Sequence, residues 1–405
     1  MANTNLTIDM VTQEAARVLV NQLGFARTID REYDDSFGNS GAKIGQSIRL
    51  RKPPRYKAVD GATLGTNRDS VEEQSTLTLT NQVHVPLEFS SKEMTLDIDD
   101  FSDRYIVPAA AQLANKVDRV GLELYSSIAN ATGTPGTTPA TAAAILDAGV
   151  KLDENSTPRD GQRCLGVDPY ANAALVDGLK GLFNDSSIVG DQYRKGSMGM
   201  DTLGFKEIYM DQNVVKHTCG DFAGTVLIDD ASIAEGDTTI HMDAFTSTAP
   251  APAAGDVFTI AGVNGVNRQN YESTGQLQQF VVVSVANAAT NECDVTFYPA
   301  IKASSTDPQQ TVTALPADNA AVTWLGTSAT AYPQNMAYHK DAFVLGCADL
   351  VMPKGVDMAA RAVQDDISVR IVQDYDITED RFLGRLDILF GYSVRYPELA
   401  SRMYG

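Results

Sequence analysis

Apolar positions recur along the chain with two periods, and the places where one period gives way to the other divide the sequence. Residues 8–23 put Val11, Ala15, Val18 and Leu19 on one face, with Gly24 as a natural C′ residue, which predicts a short amphipathic helix able to pack on a neighbouring chain. Residues 30–75 break the pattern with several glycines and the Pro53-Pro54 pair. Within them Ile48 and Leu50 alternate with Arg49 and Arg51 as a two-faced strand, and the rest suits an extended loop or hairpin. Thr76–Ser90 alternates Leu77 and Leu79, then Val83, Val85 and Leu87, as a strand pair or one long bent strand. From Ser102 the period changes: Ile106, Ala110, Leu113, Val117, Val120, Leu124 and Ile128 form one stripe, and Gln112, Asn115, Lys116, Arg119 and Glu123 fall off it. Ser102 as N-cap, Pro108 in an early turn and Gly133 at the end frame a spine helix from Ser102 to Asn130, about 23 residues and roughly 35 Å from Pro108.

Thr132–Ala143 is a Gly/Pro/Thr-rich break. A mixed region follows to about residue 220, with a strand, a turn at Asp168-Pro169 and a helix, then a Gly-rich loop leading into another strand. Over residues 221–332 no helical period survives. Short β-like runs such as "GDVFTIAGV" and "FVVVSVA" alternate with turns, which predicts a small all-β barrel or sandwich. Mixed αβ texture resumes on its far side, so this domain reads as an insertion. Near the end Ile367, Val369 and Ile371 alternate, as do Leu386, Ile388, Phe390, Tyr392, Val394 and Tyr396: two strands, each with one apolar face, around turn residues 374–384. The fold class expected is α+β.

Composition sharpens this picture. With 405 residues, 43% of them hydrophobic, the chain can bury a large core and suggests two or three domains. A net charge of −20 argues against broad binding to duplex DNA, which needs clustered Lys and Arg, and makes copies repel unless specific contacts oppose it. Against that background Arg49, Arg51, Lys52, Arg55 and Lys57 form a basic cluster whose simplest partner is another copy of the chain; a solvated loop is the plainer alternative. Cys164, Cys219, Cys293 and Cys347 form no CxxC and suit buried thiols in a reducing cytoplasm. The N-terminal stretch lacks the basic and apolar regions of a signal peptide, and no apolar run approaches the roughly 20 residues of a membrane span.

Candidate chemistry is sparse. There are 4 histidines and no GxSxG elbow. His217 and Cys219 lie two apart, but no second pair completes a metal site. Asp374, Asp376 and Thr378 begin like a calcium loop, yet Glu379 replaces the needed Gly and Arg385 the bidentate Glu. Ala261–Asn267 has glycines without a phosphate-loop Lys, and Asp97–Asp100 are acids suited to the start of the spine helix. No catalytic, cofactor or metal site is predicted. What remains suits assembly: faces that one chain cannot bury are usually buried against another.

Three stretches in order, "KIGQSIRLRKPPRY", "LEFSSKEMTLDIDDFSDRYIVPAAAQLANKVDR" and "DISVRIVQDYDITEDRFLGRLDILFGYSVRYPELA", resemble the major capsid protein of tailed double-stranded DNA bacteriophages, and within it the podovirus-type coat proteins with an inserted domain. The resemblance covers nearly the whole chain and is weakest over residues 221–332. It implies the tailed-phage capsid fold: an N-terminal arm (1–35), an E-loop lying across a neighbouring subunit (36–75), a P-domain with the spine helix (76–139), an A-domain (140–220 and 333–360) interrupted by the inserted β domain (221–332), and C-terminal P-domain strands (361–405). It also implies a non-enzymatic protein, made in the host cytoplasm, that assembles as pentamers and hexamers of a virion head with scaffolding and portal proteins, and in some relatives a decoration protein. Arg370, Arg381, Arg385 and Arg395 alongside Asp374, Asp376, Asp380 and Asp387 would form intersubunit pairs. Lys43, Lys52 and Lys57 lie in the loop region, but nothing marks one for crosslinking. A bacterial compartment shell of related fold, a β-rich surface-binding module and an enzyme with an unrecognised site are the competing readings.

Overall fold

The computed structural model describes residues 8–34, 47–58, 74–90, 105–179 and 200–405. Lys43, Asp97–Asp100, the Ser102 cap and most of the expected E-loop lie outside them. The helices are α1 (Ile8–Gln22), α2 (Phe25–Thr28), α3 (Val107–Leu122), α4 (Ala142–Glu154) and α5 (Pro169–Leu179). The strands are β1 (Asp30–Asp34), β2 (Ser47–Arg51), β3 (Gln74–Thr78), β4 (Asn81–Ser90), β5 (Ala131–Thr132), β6 (Arg163–Val167), β7 (Met200–Thr202), β8 (Phe205–Met210), β9 (Lys216–Thr218), β10 (Gly224–Ile228) and β11 (Thr239–Phe245). Then come β12 (Val257–Val266), β13 (Ser273–Ala289), β14 (Glu292–Tyr298), β15 (Val322–Leu325), β16 (Ala331–His339), β17 (Phe343–Ala348), β18 (Met358–Gln364), β19 (Ile367–Asp376), β20 (Arg381–Val394) and β21 (Ala400–Tyr404). The chain forms two compact units, one of residues 1–50, 74–121 and 343–395, the other of residues 51–73, 122–342 and 396–405.

The first unit is built on a sheet of order β1-β17-β20-β19-β18, with β4 also paired to β20. The period-two runs behave as expected: Val369, Ile371, Leu386, Ile388 and Phe390 are buried. The Leu77 to Leu87 alternation resolves into two strands, β3 paired with β2 and β4 with β20. Helix α1 lies against β18 and β19 of its own chain, where Ala15 and Leu19 are buried, so its apolar face is not left for a neighbour. The spine helix α3 buries Ala110, Leu113 and Val117, and Ile106 just before it is buried too. Its carboxylate Asp118 accepts the backbone N–H of Gly24 at 2.7 Å and of Ala26 at 2.9 Å, fixing the corner between α1 and α2. Close by, a Cβ at Gly121 would lie 2.6 Å from the Phe25 ring, so only glycine lets the helix pass. The α-helix is shorter than its stripe: it ends at Leu122, tightens into a 3-10 turn over Glu123–Ser127 and extends at Ile128, whose N–H bonds the Tyr125 carbonyl. Its 16 residues give about 24 Å.

In the second unit, a sheet of order β5-β21-β16-β6-β8-β7, with β9 paired to β16, carries α4 and α5. Ile145 and Leu152 of α4 and Leu175 of α5 share one core with Leu165, Val167, Phe205, Ile208 and Met403 of the strands beneath them. The stretch expected to be all-β is so, with strand order β10-β11-β14-β13-β12-β15. A bridge from Leu227 to Ala321 and a bond from Ile228 N–H to the Ala320 carbonyl at 3.0 Å close it into a barrel. Alternate residues point inward: Ile240 and Met242 on β11, Cys293, Val295 and Phe297 on β14. Phe258, Phe280 and Phe297 meet with ring centroids 5.2–5.9 Å apart, and Trp324 stacks on Phe222 at 4.7 Å.

The compact units cut the chain differently from the domain boundaries expected above. Residues 343–360 go with the first unit because β17 pairs with β1 and β20. Residues 396–405 go with the second because β21 pairs with β16 and β5. All four cysteines are buried thiols. Burial pushes those of Cys219, Cys293 and Cys347 up to about 12, so they are inert at neutral pH. Among the described residues no helix is long and apolar enough to cross a membrane.

Candidate assembly interface

In the first unit the charged residues of the C-terminal strands pair first with one another. Asp387 of β20 faces Arg370 across the β19 ladder and is fully buried. Arg370 donates to Asp387 Oδ2 through Nε at 3.2 Å and through Nη2, while its Nη1 bonds the Val351 carbonyl. Arg385, two residues earlier on the same face, donates from Nε to Asp387 Oδ1 at 2.6 Å, and its side chain is 41% exposed. One buried carboxylate therefore holds two guanidiniums, and breaking such a set strands a charge. At the tip between β19 and β20, Arg381 meets Glu88 at 3.0 Å, Glu379 at 2.9 Å and Asp376 at 3.3 Å. The Glu88 hydrogen bond leads in raising the Arg381 guanidinium further. The Thr378 N–H, outweighing burial and aided by Arg381, holds the Asp376 carboxyl below its ordinary range. Asp374 accepts the Tyr375 N–H, Asp380 accepts the Tyr375 hydroxyl, and Arg395 reaches Asp30 at 3.4 Å. Ile377, at the tip, is 85% exposed.

In the second unit the basic run is also engaged within the chain. Arg55 and Arg268 both bond Glu398, Arg268 at 3.1 Å, and Glu398 is only 6% exposed. Burial pushes the Glu398 carboxyl up, but Arg268 and Arg55, with Lys52, overcome it and hold the group below its ordinary value. Lys52 lies 5.5 Å over the Tyr396 ring. Lys57 lies 4.2 Å over the Tyr271 ring and donates to the Ser305 carbonyl. Arg49 and Arg51 stand on β2, but their side chains lie outside the described residues. Among the described side chains, three clusters form around Asp387, Arg381 and Glu398, while Arg395 pairs with Asp30 apart from them.

Comparison with known proteins decides what such a molecule is. The whole chain, residues 1–405, matches the family model "P22 coat protein - gene protein 5". The chain belongs to the P22 coat protein family. It is a structural major capsid protein, part of the virion, that associates with its own copies into a shell. Among solved structures it is similar to one from Mycobacterium phage Che8 (12% identity, 94% of this chain and 90% of that one, TM-score 0.45) and to the capsid of Ralstonia phage GP4 (8% identity, 100% and 94%, TM-score 0.44). It is also similar to the CUS-3 coat protein I-domain, at 27% identity over 26% of this chain and 98% of that one, TM-score 0.20. No curated protein sequence matches it. The α+β, sheet-rich architecture accords with the capsid fold expected of the family, and no observation favours a compartment shell or a β-rich binding module.

The coat protein also holds a buried polar network that sequence reasoning missed. His217 pairs Nε2 with Asp256 Oδ1 at 2.8 Å and Nδ1 with the Tyr125 hydroxyl at 3.0 Å. Asp256 Oδ2 accepts the N–H groups of Gly220 at 3.0 Å and Ala253 at 2.7 Å. Arg402, fully buried on β21, donates Nη1 to the Gly255 carbonyl at 2.8 Å and lies 5.7 Å from the Tyr125 ring and 5.8 Å from that of Tyr404. His217 and Cys219 thus do meet a third ligand type, Asp256. The buried guanidinium of Arg402 beside them opposes a cation there, and the network ties β21 to the root of the barrel. The His217 and Cys219 spacing was the hint the sequence offered; nothing in it marks Asp256 or Arg402 as their partners.

Proposed function

We propose that this coat protein forms pentamers and hexamers of the icosahedral head of a tailed phage and encloses double-stranded DNA. It has no catalytic role. It assembles in the bacterial cytoplasm with a scaffolding protein, a portal protein and, where the phage has one, a decoration protein. The family match over the full chain carries this reading. The net charge of −20 supports it, since an acidic wall lets packaged DNA slide without specific binding. In this reading residues 1–35 act as the N-terminal arm, residues 36–75 as the E-loop, and α3 with β4 and β18–β20 as the P-domain frame. The rims of the first unit's charge clusters, Arg385, Arg381, Asp374 and Asp376, offer charges to a neighbouring subunit, while Asp387, itself held by Arg370, keeps Arg385 in place. Exposed pairs are individually weak, so their effect depends on many symmetric copies.

Expression with and without a scaffolding protein, imaged by negative-stain electron microscopy, tests the proposal. Closed shells or capsomer rings are expected. A monomer under every condition would overturn it.

A further inference from the structure

On the outer wall of the barrel three neighbouring strands bring together residues far apart in sequence. Ile240 and Met242 point inward from β11, so His241 and Asp243 point outward. On β14, Cys293 and Val295 point inward, so Glu292 and Asp294 point outward, and Asp294 stands opposite His241 in the ladder. Asp229 follows β10 and donates its N–H to the His241 carbonyl at 3.1 Å. The imidazole Nδ1 lies 2.6 Å from Asp294 Oδ1, and Asn287 donates to the other oxygen of that carboxylate. Nε2 lies 3.1 Å from Glu292 Oε2, and one ligand atom each of Asp229, His241 and Glu292 falls within 4.8 Å of the others. Among the described residues no Lys or Arg pairs with Asp229, Asp243, Glu292 or Asp294.

We propose that Asp229, His241 and Glu292 bind one divalent transition-metal ion of the zinc or cobalt kind, with Asp294 as a positioning residue. The chemistry is that of a carboxylate–histidine–metal set. Asp294 holds the proton on Nδ1 and so presents the Nε2 lone pair outward, next to Glu292. Metal–ligand bonds of about 2.0–2.2 Å put neighbouring ligand atoms about 3–3.5 Å apart. Nε2 and Glu292 already meet that spacing, and Asp229 is exposed and can rotate to it. A histidine with two carboxylates and open remaining positions suits zinc or cobalt, completed by water. The cation offsets acidic charge that no basic residue balances, unlike at His217, where a buried guanidinium already stands nearby. When His241 is protonated, binding releases the Nε2 proton. Bound metal would pin β10, β11 and β14 together on the face away from the aromatic core. This inference goes beyond the coat role and does not rest on it.

The test is titration of the full-length protein with Co2+ alone, followed by visible absorption and calorimetry, then displacement by Zn2+. One ion per chain is expected. His241→Gln should abolish binding, and Asp294→Asn should weaken it about 10–100-fold, as loss of an orienting partner does. Cys219→Ser, in the buried network, should leave it unchanged. Circular dichroism in EDTA checks that each variant is folded, and Glu292→Gln, at a half-buried site, gives the same reading if His241→Gln is not. No cobalt binding by the wild type, or binding that survives both His241→Gln and Glu292→Gln, or binding lost in Cys219→Ser, overturns the proposal.

Discussion

The barrel and the six-stranded sheet of the first unit solve the same problem in opposite ways. The barrel takes all its strands from one stretch, Gly224–Leu325, and closes on itself around an aromatic core. The sheet gathers β1, β4 and β17–β20 from three distant parts of the chain and keeps a buried carboxylate, Asp387, among its apolar positions. Local pairing closes short loops, whereas distant pairing must first close long ones, so the barrel should form early and the sheet late. The barrel is thus stabilised mainly by burial, while the sheet also depends on a charged latch.

The sharpest way to break the comparison is to damage each region separately. Asp387→Ala would leave Arg370 in a nearly dry site and should cost about 3–5 kcal/mol. Phe297→Ala should cost a similar amount, about 3–5 kcal/mol, through lost burial and a cavity in the barrel. Denaturant unfolding followed by circular dichroism and by fluorescence of Trp324, in the barrel, should show Phe297→Ala shifting the fluorescence transition and Asp387→Ala sparing it. Shifts shared equally by both probes in both variants would show that the regions unfold as one.

Smaller effects sharpen the contrast through pH. Glu398 has its carboxyl held below the unfolded value of about 4.3, so its pairs with Arg55 and Arg268 stabilise the fold fully above that pH. That contribution is lost as pH falls through the lower folded value, because the unfolded chain takes up the proton first. Glu398→Gln should flatten the acid limb of a plot of melting temperature against pH, and an unchanged limb would show that Glu398 contributes nothing. Arg385→Glu should leave the subunit folded yet reduce shell yield in electron micrographs. Normal particles would remove Arg385 from the interface. The least effect is expected from Arg381→Ala, whose exposed partners remain solvated: its melting temperature should stay close to the wild type.

Much of this was legible in the sequence, and the reasons differ by element. The stripe from Ile106 to Val117, the alternation in β19 and β20 and the helix-free insertion all follow from burial on one face, which the order of apolar and polar residues alone can reveal. The end of α3 was not legible, because Leu124 and Ile128 continue the four-residue spacing while the backbone has already tightened. β21 was hidden for a different reason: Ser401 and Arg402 are polar residues with no apolar alternation around them, yet both are fully buried. For the candidate site, the charged residues were visible but their partners were not. Arg55 meets Glu398 and Arg381 meets Glu88 across hundreds of intervening residues, and only the fold supplies those pairs.

The strands that lead into and out of the barrel are themselves a pair. Tyr332 of β16 sits opposite His217 of β9, the Cys219 N–H bonds the Thr330 carbonyl at 2.9 Å, and the Ala329 N–H bonds the Gly220 carbonyl at 3.2 Å. The two cut ends therefore lie a single ladder rung apart, about 5 Å. Genetically, that is a docking port: a domain with adjacent termini could be spliced in at the same place, provided it also supplies the partners that Asp256 and Gly255 give to His217 and Arg402. A lineage could exchange such a module in one recombination event, whereas shedding it outright would strand the buried His217 and Arg402.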